Sequence, residues 1–180
     1  MRARVAGLLL VSLGLVAALN GGAAPQAAAG ATAPPRLGLD RFGPLKLGMT
    51  RADAVATGWL AQRGTGCPLG GTPPITYRVS GPKAPAGVVG TAEFARGRLA
   101  SLAFTRGVST VAGVRVGRTT AARMAARYRR AGFSVRTDAV ATFGGTFVTV
   151  RRAGREVIGA FAETGRPITV LAIPLVTACE

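Results

Sequence analysis

Two stretches of the chain place apolar residues at helical spacing. Ala52, Val55, Ala56, Trp59 and Leu60 fall at i, i+3, i+4, i+7 and i+8, and Ala121, Met124, Ala125 and Tyr128 follow the same rule. Thr50 can cap the first helix, with Asp53 three residues on completing a capping box. Thr119 starts the second helix, and Gly132 supplies its end signal. Trp59 and Tyr128 are then core residues. Strand-like runs follow each helix, at 75–79, 88–95 and 99–105 after the first and at 133–136, 146–151, 155–163 and 168–173 after the second. Arg96-Gly97, Ala153-Gly154 and Gly165 read as turns, and the Gly/Pro-rich stretches 64–74 and 80–87 as loops. Helix-then-hairpins predicts an α+β fold with antiparallel sheet and helices on one face.

The N-terminus has a different pattern. Arg2 and Arg4 precede a nearly unbroken apolar run over 5–19, and small residues follow with an A-x-A pattern at Ala27-Ala28-Ala29. This is the layout of a secretory signal peptide over 1–29, cut after Ala29. The run is short of the roughly 20 residues a membrane span needs, so no stable span is expected after cleavage. The expected location is secreted or extracytoplasmic. Residues 30–38 read as a flexible N-terminus and 39–180 as a single domain, large enough to hold a core without staples.

The two amphipathic stretches belong to a longer self-similarity. Leu45, Lys46, Leu47, Gly48 and Thr50 match Val114, Arg115, Val116, Gly117 and Thr119 at a constant offset. The same offset pairs Gly90 with Gly159, and Leu99, Leu102, Ala103 and Phe104 with Ile168, Leu171, Ala172 and Ile173. Runs of Ala and Gly can mimic such matches, whereas the ordered matches of Val55 to Met124 and Trp59 to Tyr128 at helical spacing weigh against chance. The expectation is two tandem units, 40–108 and 109–180, each a short helix followed by antiparallel strands, sharing one core.

Residues 43–59, GPLKLGMTRADAVATGW, followed by Cys67 and a three-strand run, resemble a module of exported bacterial proteins. The stretch looks like the helix-plus-antiparallel-sheet repeat of the β-lactamase-inhibitory protein family. It is also similar to small envelope lipoproteins that support outer-membrane assembly and share the Gly48-Met49-Thr50 opening. The resemblance implies a protein without catalysis whose sheet surface grips another protein, an extracellular or envelope partner. Two departures stand out. The family has a Cys pair inside each repeat, whereas this chain has Cys67 in the first unit and Cys179 at the C-terminus. The family's binding face is rich in Tyr and Trp, whereas Phe dominates the aromatics here.

Composition narrows the chemistry. There is no His, which excludes Ser-His-Asp triads and His-ligated zinc. Two Cys cannot form a four-thiolate site. In an exported chain they are expected to pair as a Cys67–Cys179 disulfide, worth about 4.7 kcal/mol for a loop of roughly 110 residues. The alternative is two separate thiols. With 7 acidic residues and no nucleophile motif, neither an enzyme nor a cofactor is expected.

Against those 7 acids stand 23 basic residues, all arginine except Lys46 and Lys83. Arg123, Arg127 and Arg130 recur along one side of the second helix, and Arg151, Arg152 and Arg155 surround a turn. These six are the candidate anion-binding residues, suited to anionic envelope polymers by electrostatics. The bland reading is a solvated face. No aromatics interleave with them, and export is expected, so nucleic acid is not an expected partner. The leading expectation is a secreted protein-binding protein, inhibitor-like or adaptor-like. The runner-up is a basic factor on envelope polymers.

Overall fold

A computed structural model describes residues 35–66 and 73–176. The expected signal peptide, Cys67 and Cys179 lie outside the described residues. So does 30–34 of the segment read as flexible. The remainder of that segment is part of the fold: Leu37 is fully buried and its N–H donates to the Ser109 carbonyl at 2.8 Å.

The chain opens with a small hairpin, β1 (Arg41–Phe42) and β2 (Leu45–Lys46). Helix α1 (Arg51–Ala56) follows, then β3 (Leu60–Thr65), β4 (Ile75–Val79), β5 (Val89–Ala95) and β6 (Arg98–Arg106). Helix α2 (Ala121–Arg130) precedes β7 (Ser134–Val140), a 3-10 turn at Ala141–Phe143, β8 (Gly145–Arg152), β9 (Arg155–Glu163) and β10 (Ile168–Ile173). The fold is α+β, dominated by one antiparallel sheet of eight strands in the order β3-β4-β5-β6-β10-β9-β8-β7. At its centre β6 pairs with β10, and Ala103 faces Ala172.

The turns follow from local chemistry. Arg96 and Gly97 have φ of 51° and 75°, and Ala153 and Gly154 have φ of 50° and 77°. Positive φ at both central residues makes a two-residue turn whose twist matches the flanking strands. The expected hairpins β5–β6 and β8–β9 therefore close where the sequence places them.

Helix α2 also follows its pattern, with one correction. Its cap is Thr120, whose hydroxyl accepts the Arg123 N–H at 3.3 Å. Thr119 is buried instead, and accepts the Arg115 N–H at 2.9 Å. Met124, Ala125 and Tyr128 are buried as expected. At the C-terminus the Phe133 N–H donates to the Tyr128 carbonyl and the Gly132 N–H to that of Arg129, both at 3.0 Å, with Gly132 at φ 81°. This is a Schellman ending, and Phe133 stacks edge-on against Tyr128 at 5.4 Å to supply its apolar contact.

Helix α1 departs from its pattern. The Thr50 hydroxyl does cap it, accepting from the Asp53 N–H at 3.2 Å and donating to the Asp53 carboxylate at 2.6 Å. The helix then stops after six residues. The Thr57 hydroxyl bonds the Ala54 carbonyl at 2.6 Å and accepts the Trp59 N–H at 3.2 Å, and Gly58 turns left-handed at φ 73°. The expected stripe never forms: Ala52, Val55 and Ala56 are exposed and only Ala54 is buried. Leu60 instead begins β3, a strand the pattern did not show. Trp59 is half-buried rather than a core residue, edge-on to Phe42 at 5.5 Å and lying across Gly43.

The core lies between the sheet and the covering elements. Leu99, Leu102 and Phe104 of β6, Ile158 of β9 and Ile168, Leu171 and Ile173 of β10 are fully buried. They pack with Leu37, Phe42, Leu45, Met124 and Tyr128. Burying such side chains contributes about 1.5–3 kcal/mol each relative to exposure.

Candidate functional site

Side chains alternate between the two faces of a sheet. If Leu102, Phe104, Val148, Val150, Ile158 and Ala160 fill the core, their neighbours in sequence point to the opposite face. The strand registers carry one continuous row across it: Ala61, Arg78, Thr91, Ala103, Ala172, Gly159, Thr149 and Arg136. Small and β-branched residues occupy the middle of this row, and an arginine lies toward each edge.

The adjacent row is aromatic. Val170 opposes Phe161, Phe161 opposes Phe147, and Phe147 opposes Asp138. The Phe147 and Phe161 rings lie 4.9 Å apart, and Phe143 meets Phe147 edge-on at 5.9 Å. All three rings are half-buried. Gly145 allows this: a Cβ there would lie 2.6 Å from the Phe161 ring. At the centre of the face, Leu175 and Val176 cross Gly159, where a Cβ would sit 2.7 Å from the Val176 nitrogen.

Glu93 stands on the same face, opposite Thr76 and Ser101. Burial pushes its carboxyl above the ordinary carboxylate value. Among the described residues the ion pairs are Arg41–Asp40, Arg136–Asp138 and Arg151–Glu156, and none includes Glu93.

On the helix-bearing side, α1 is too short to cover the end of the sheet. It leaves an open cleft of about 1080 Å3 lined by Val55, Ile75, Tyr77 and Phe94, with Arg51 and Arg96 also lining it.

The six candidate arginines have different local contacts. Arg151 is neutralised by Glu156 at 2.7 Å. Arg127 donates to the Gly113 carbonyl, which ties α2 to the loop before it. Arg152 stacks over Phe133, 6.0 Å from the ring centre. Arg123 sits in the first turn of α2 and Arg130 in its last, while Arg155 opens β9 beyond the turn. Arg129 joins the Arg152 end of the group by donating to the Val135 carbonyl at 3.2 Å.

The sequence reading missed the aromatic row. Its signal was present: TFVTV at 146–150 and GAFAE at 159–163 alternate with period two, which sets Phe147 and Phe161 opposite to Val148, Val150, Ala160 and Ala162.

Comparison with known proteins returned no match: no protein-family model, no curated protein and no solved structure matches this chain.

Proposed function

We propose that the chain is a secreted, non-enzymatic protein that binds another protein through the open face of its eight-stranded sheet. The observation that carries this reading is the half-buried Phe143–Phe147–Phe161 cluster on that face, beside a row of small residues whose centre, at Gly159 and Ala172, is buried where Leu175 and Val176 cross it. Eight strands at about 4.8 Å spacing span about 34 Å. With strands about 20 Å long, the sheet face measures about 700 Å2 including the centre that Leu175 and Val176 cross, of the order of the roughly 800 Å2 per partner of a standard interface. Aromatic side chains supply contact area at low conformational-entropy cost and are enriched at binding surfaces.

The same reading takes the chain as two tandem units, 40–108 and 109–180, similar to the repeat of the β-lactamase-inhibitory protein family, with Cys67 bridged to Cys179. Three observations support the repeat. A helix followed by four meandering strands occurs twice in order. The Gly48 N–H donates to the Leu99 carbonyl and the Gly117 N–H to that of Ile168, each at 2.8 Å. Ala103 and Ala172, matched in sequence, face each other across the central strands.

A second reading, a basic factor on anionic envelope polymers, is favoured by Arg123, Arg130, Arg152 and Arg155, which form no ion pair among the described residues. One experiment separates the two. The purified protein is used to capture material from extracellular and envelope fractions, with parallel low-salt and high-salt washes. Under the leading reading one protein survives high salt, and Thr149→Arg on the open face abolishes its capture. Capture lost entirely in salt, unaffected by Thr149→Arg and lost on replacing the four arginines by Gln, would overturn it in favour of the second reading.

A further inference from the structure

The two edges of the sheet differ. Edge strand β3 carries a register shift between Ala61 and Arg63, with Gln62 at φ 48°. Such bulges blunt an edge against further pairing. Edge strand β7 has no such device. It pairs with β8 over seven residues without a register shift and contains neither Pro nor Gly. Among the described residues no strand lies on its other side. Its two charges, Arg136 and Asp138, bond to each other at 2.7 Å, so they present no net charge to an approaching strand.

We infer that β7 is a self-association edge, at which two copies of this chain pair antiparallel about Thr137 and join their sheets. The sequence of β7 is self-complementary in that register. Arg136 of each copy stands opposite Asp138 of the other, Val135 opposite Ala139, and Ser134 opposite Val140. A register centred one residue away, on Arg136 or on Asp138, sets like charges directly opposite, which is destabilising. Every opposed pair in the Thr137 register has the same parity, so the backbone ladder closes whichever residues point their N–H and C=O groups outward. The arrangement is isologous and closed, a two-fold dimer rather than a fibre. Among the described residues, the Arg129 contact to the Val135 carbonyl is the one polar contact on β7 from outside the sheet, and it adjusts on pairing. The basic charge of two copies opposes the approach at long range. Salt screens that repulsion over about 8 Å near 0.15 M, so the dimer tightens as salt rises. The inference does not rest on the open-face reading.

Sedimentation equilibrium of the purified protein from about 1 to about 100 μM, at low and moderate salt, tests it. The expected result is a monomer–dimer equilibrium in this range. Asp138→Arg weakens it by at least about tenfold, and Arg136→Asp combined with Asp138→Arg restores it. Circular dichroism melts check that both variants fold, since β7 is exposed or half-buried throughout. A monomer across the whole range would overturn the inference. So would a dimer indifferent to Asp138→Arg, or one that the charge swap fails to rescue.

Discussion

Replacing Tyr128 by Phe is expected to stabilise the fold. The Tyr128 ring is 1% exposed, held between the α2 ending and Phe133. Its hydroxyl is buried, and among the described residues no group meets it with hydrogen-bond geometry. The Thr110 hydroxyl partly offsets the burial but falls short of a hydrogen bond in distance or angle. That hydroxyl already accepts the Val114 N–H at 3.2 Å. An unsatisfied buried polar group costs about 1–3 kcal/mol. Phe keeps the ring and its edge-on contact while removing that cost. Allowing for Thr110, Tyr128→Phe should gain about 1 kcal/mol. In a domain of this size that raises the melting temperature by about 2–4 °C.

The pH dependence gives a second, independent readout. Burial pushes the Tyr128 phenol above its ordinary value. The unfolded chain therefore releases this proton first, from about pH 10 upward. Stability from the raised value is complete below that pH and is lost as pH rises toward the folded value. The difference between wild type and Tyr128→Phe should thus widen in alkali, in urea titrations run at several pH values. A variant less stable by about 1 kcal/mol or more, with a difference flat in pH, would show that the hydroxyl is well hydrogen-bonded and refute the reasoning.

Other substitutions test other parts of the argument. Thr120→Ala should cost about 1 kcal/mol through the lost α2 cap, measured by urea denaturation; a neutral result would return the cap to Thr119. Trp59→Ala should cost about 2 kcal/mol, below the 3–5 kcal/mol of a fully buried Trp, because Trp59 is only partly buried. Glu93→Gln should stabilise at neutral pH and have no effect in acid. Burial raises the Glu93 carboxyl, so its contribution is complete below the ordinary carboxylate range and lost as pH rises through the folded value. Melts at acid and neutral pH would reveal the sign.

What the sequence disclosed depended on how local the cause was. The turns at Arg96-Gly97 and Ala153-Gly154 were legible because positive φ is decided by two residues. The end of α2 was legible because Gly132 and Phe133 complete a motif within one turn. Helix α1 was misread because Ala52, Val55, Ala56, Trp59 and Leu60 keep helical spacing across Gly58, where the backbone turns left-handed. Spacing alone does not register that break. Strand β3 was hidden by its bulge: LAQRGT loses period-two alternation at Gln62, so it reads as loop. The arginines were legible as a helix face and a turn. Their separation into Arg127 on Gly113, Arg151 on Glu156 and Arg152 on Phe133 was not, since each partner comes from another segment or across a turn.

The joint between β6 and β10 is the least local feature, and no propensity or turn residue encodes it. Its trace is the offset that matches Ala103 with Ala172. When two matched strands pair antiparallel with matched residues opposite each other, a local two-fold passes between them. Leu102 then opposes Ile173, and Phe104 opposes Leu171. Under the tandem reading proposed above, this joint makes one wide face out of two narrow ones. Four strands at about 4.8 Å spacing give about 14 Å of platform, too little for a standard interface, whereas eight give about 34 Å. The helices tell against strict equivalence. Their caps, Thr50 and Thr120, are one residue out of step with that offset, and α1 is six residues against ten for α2. Under the tandem reading, the symmetry is kept at the central joint and relaxes toward the ends. The aromatic row, Phe143, Phe147 and Phe161, lies wholly on the β7–β10 half. A partner bound across the face would accordingly meet two unlike halves, one apolar and aromatic, the other small and polar around Thr76, Glu93 and Ser101.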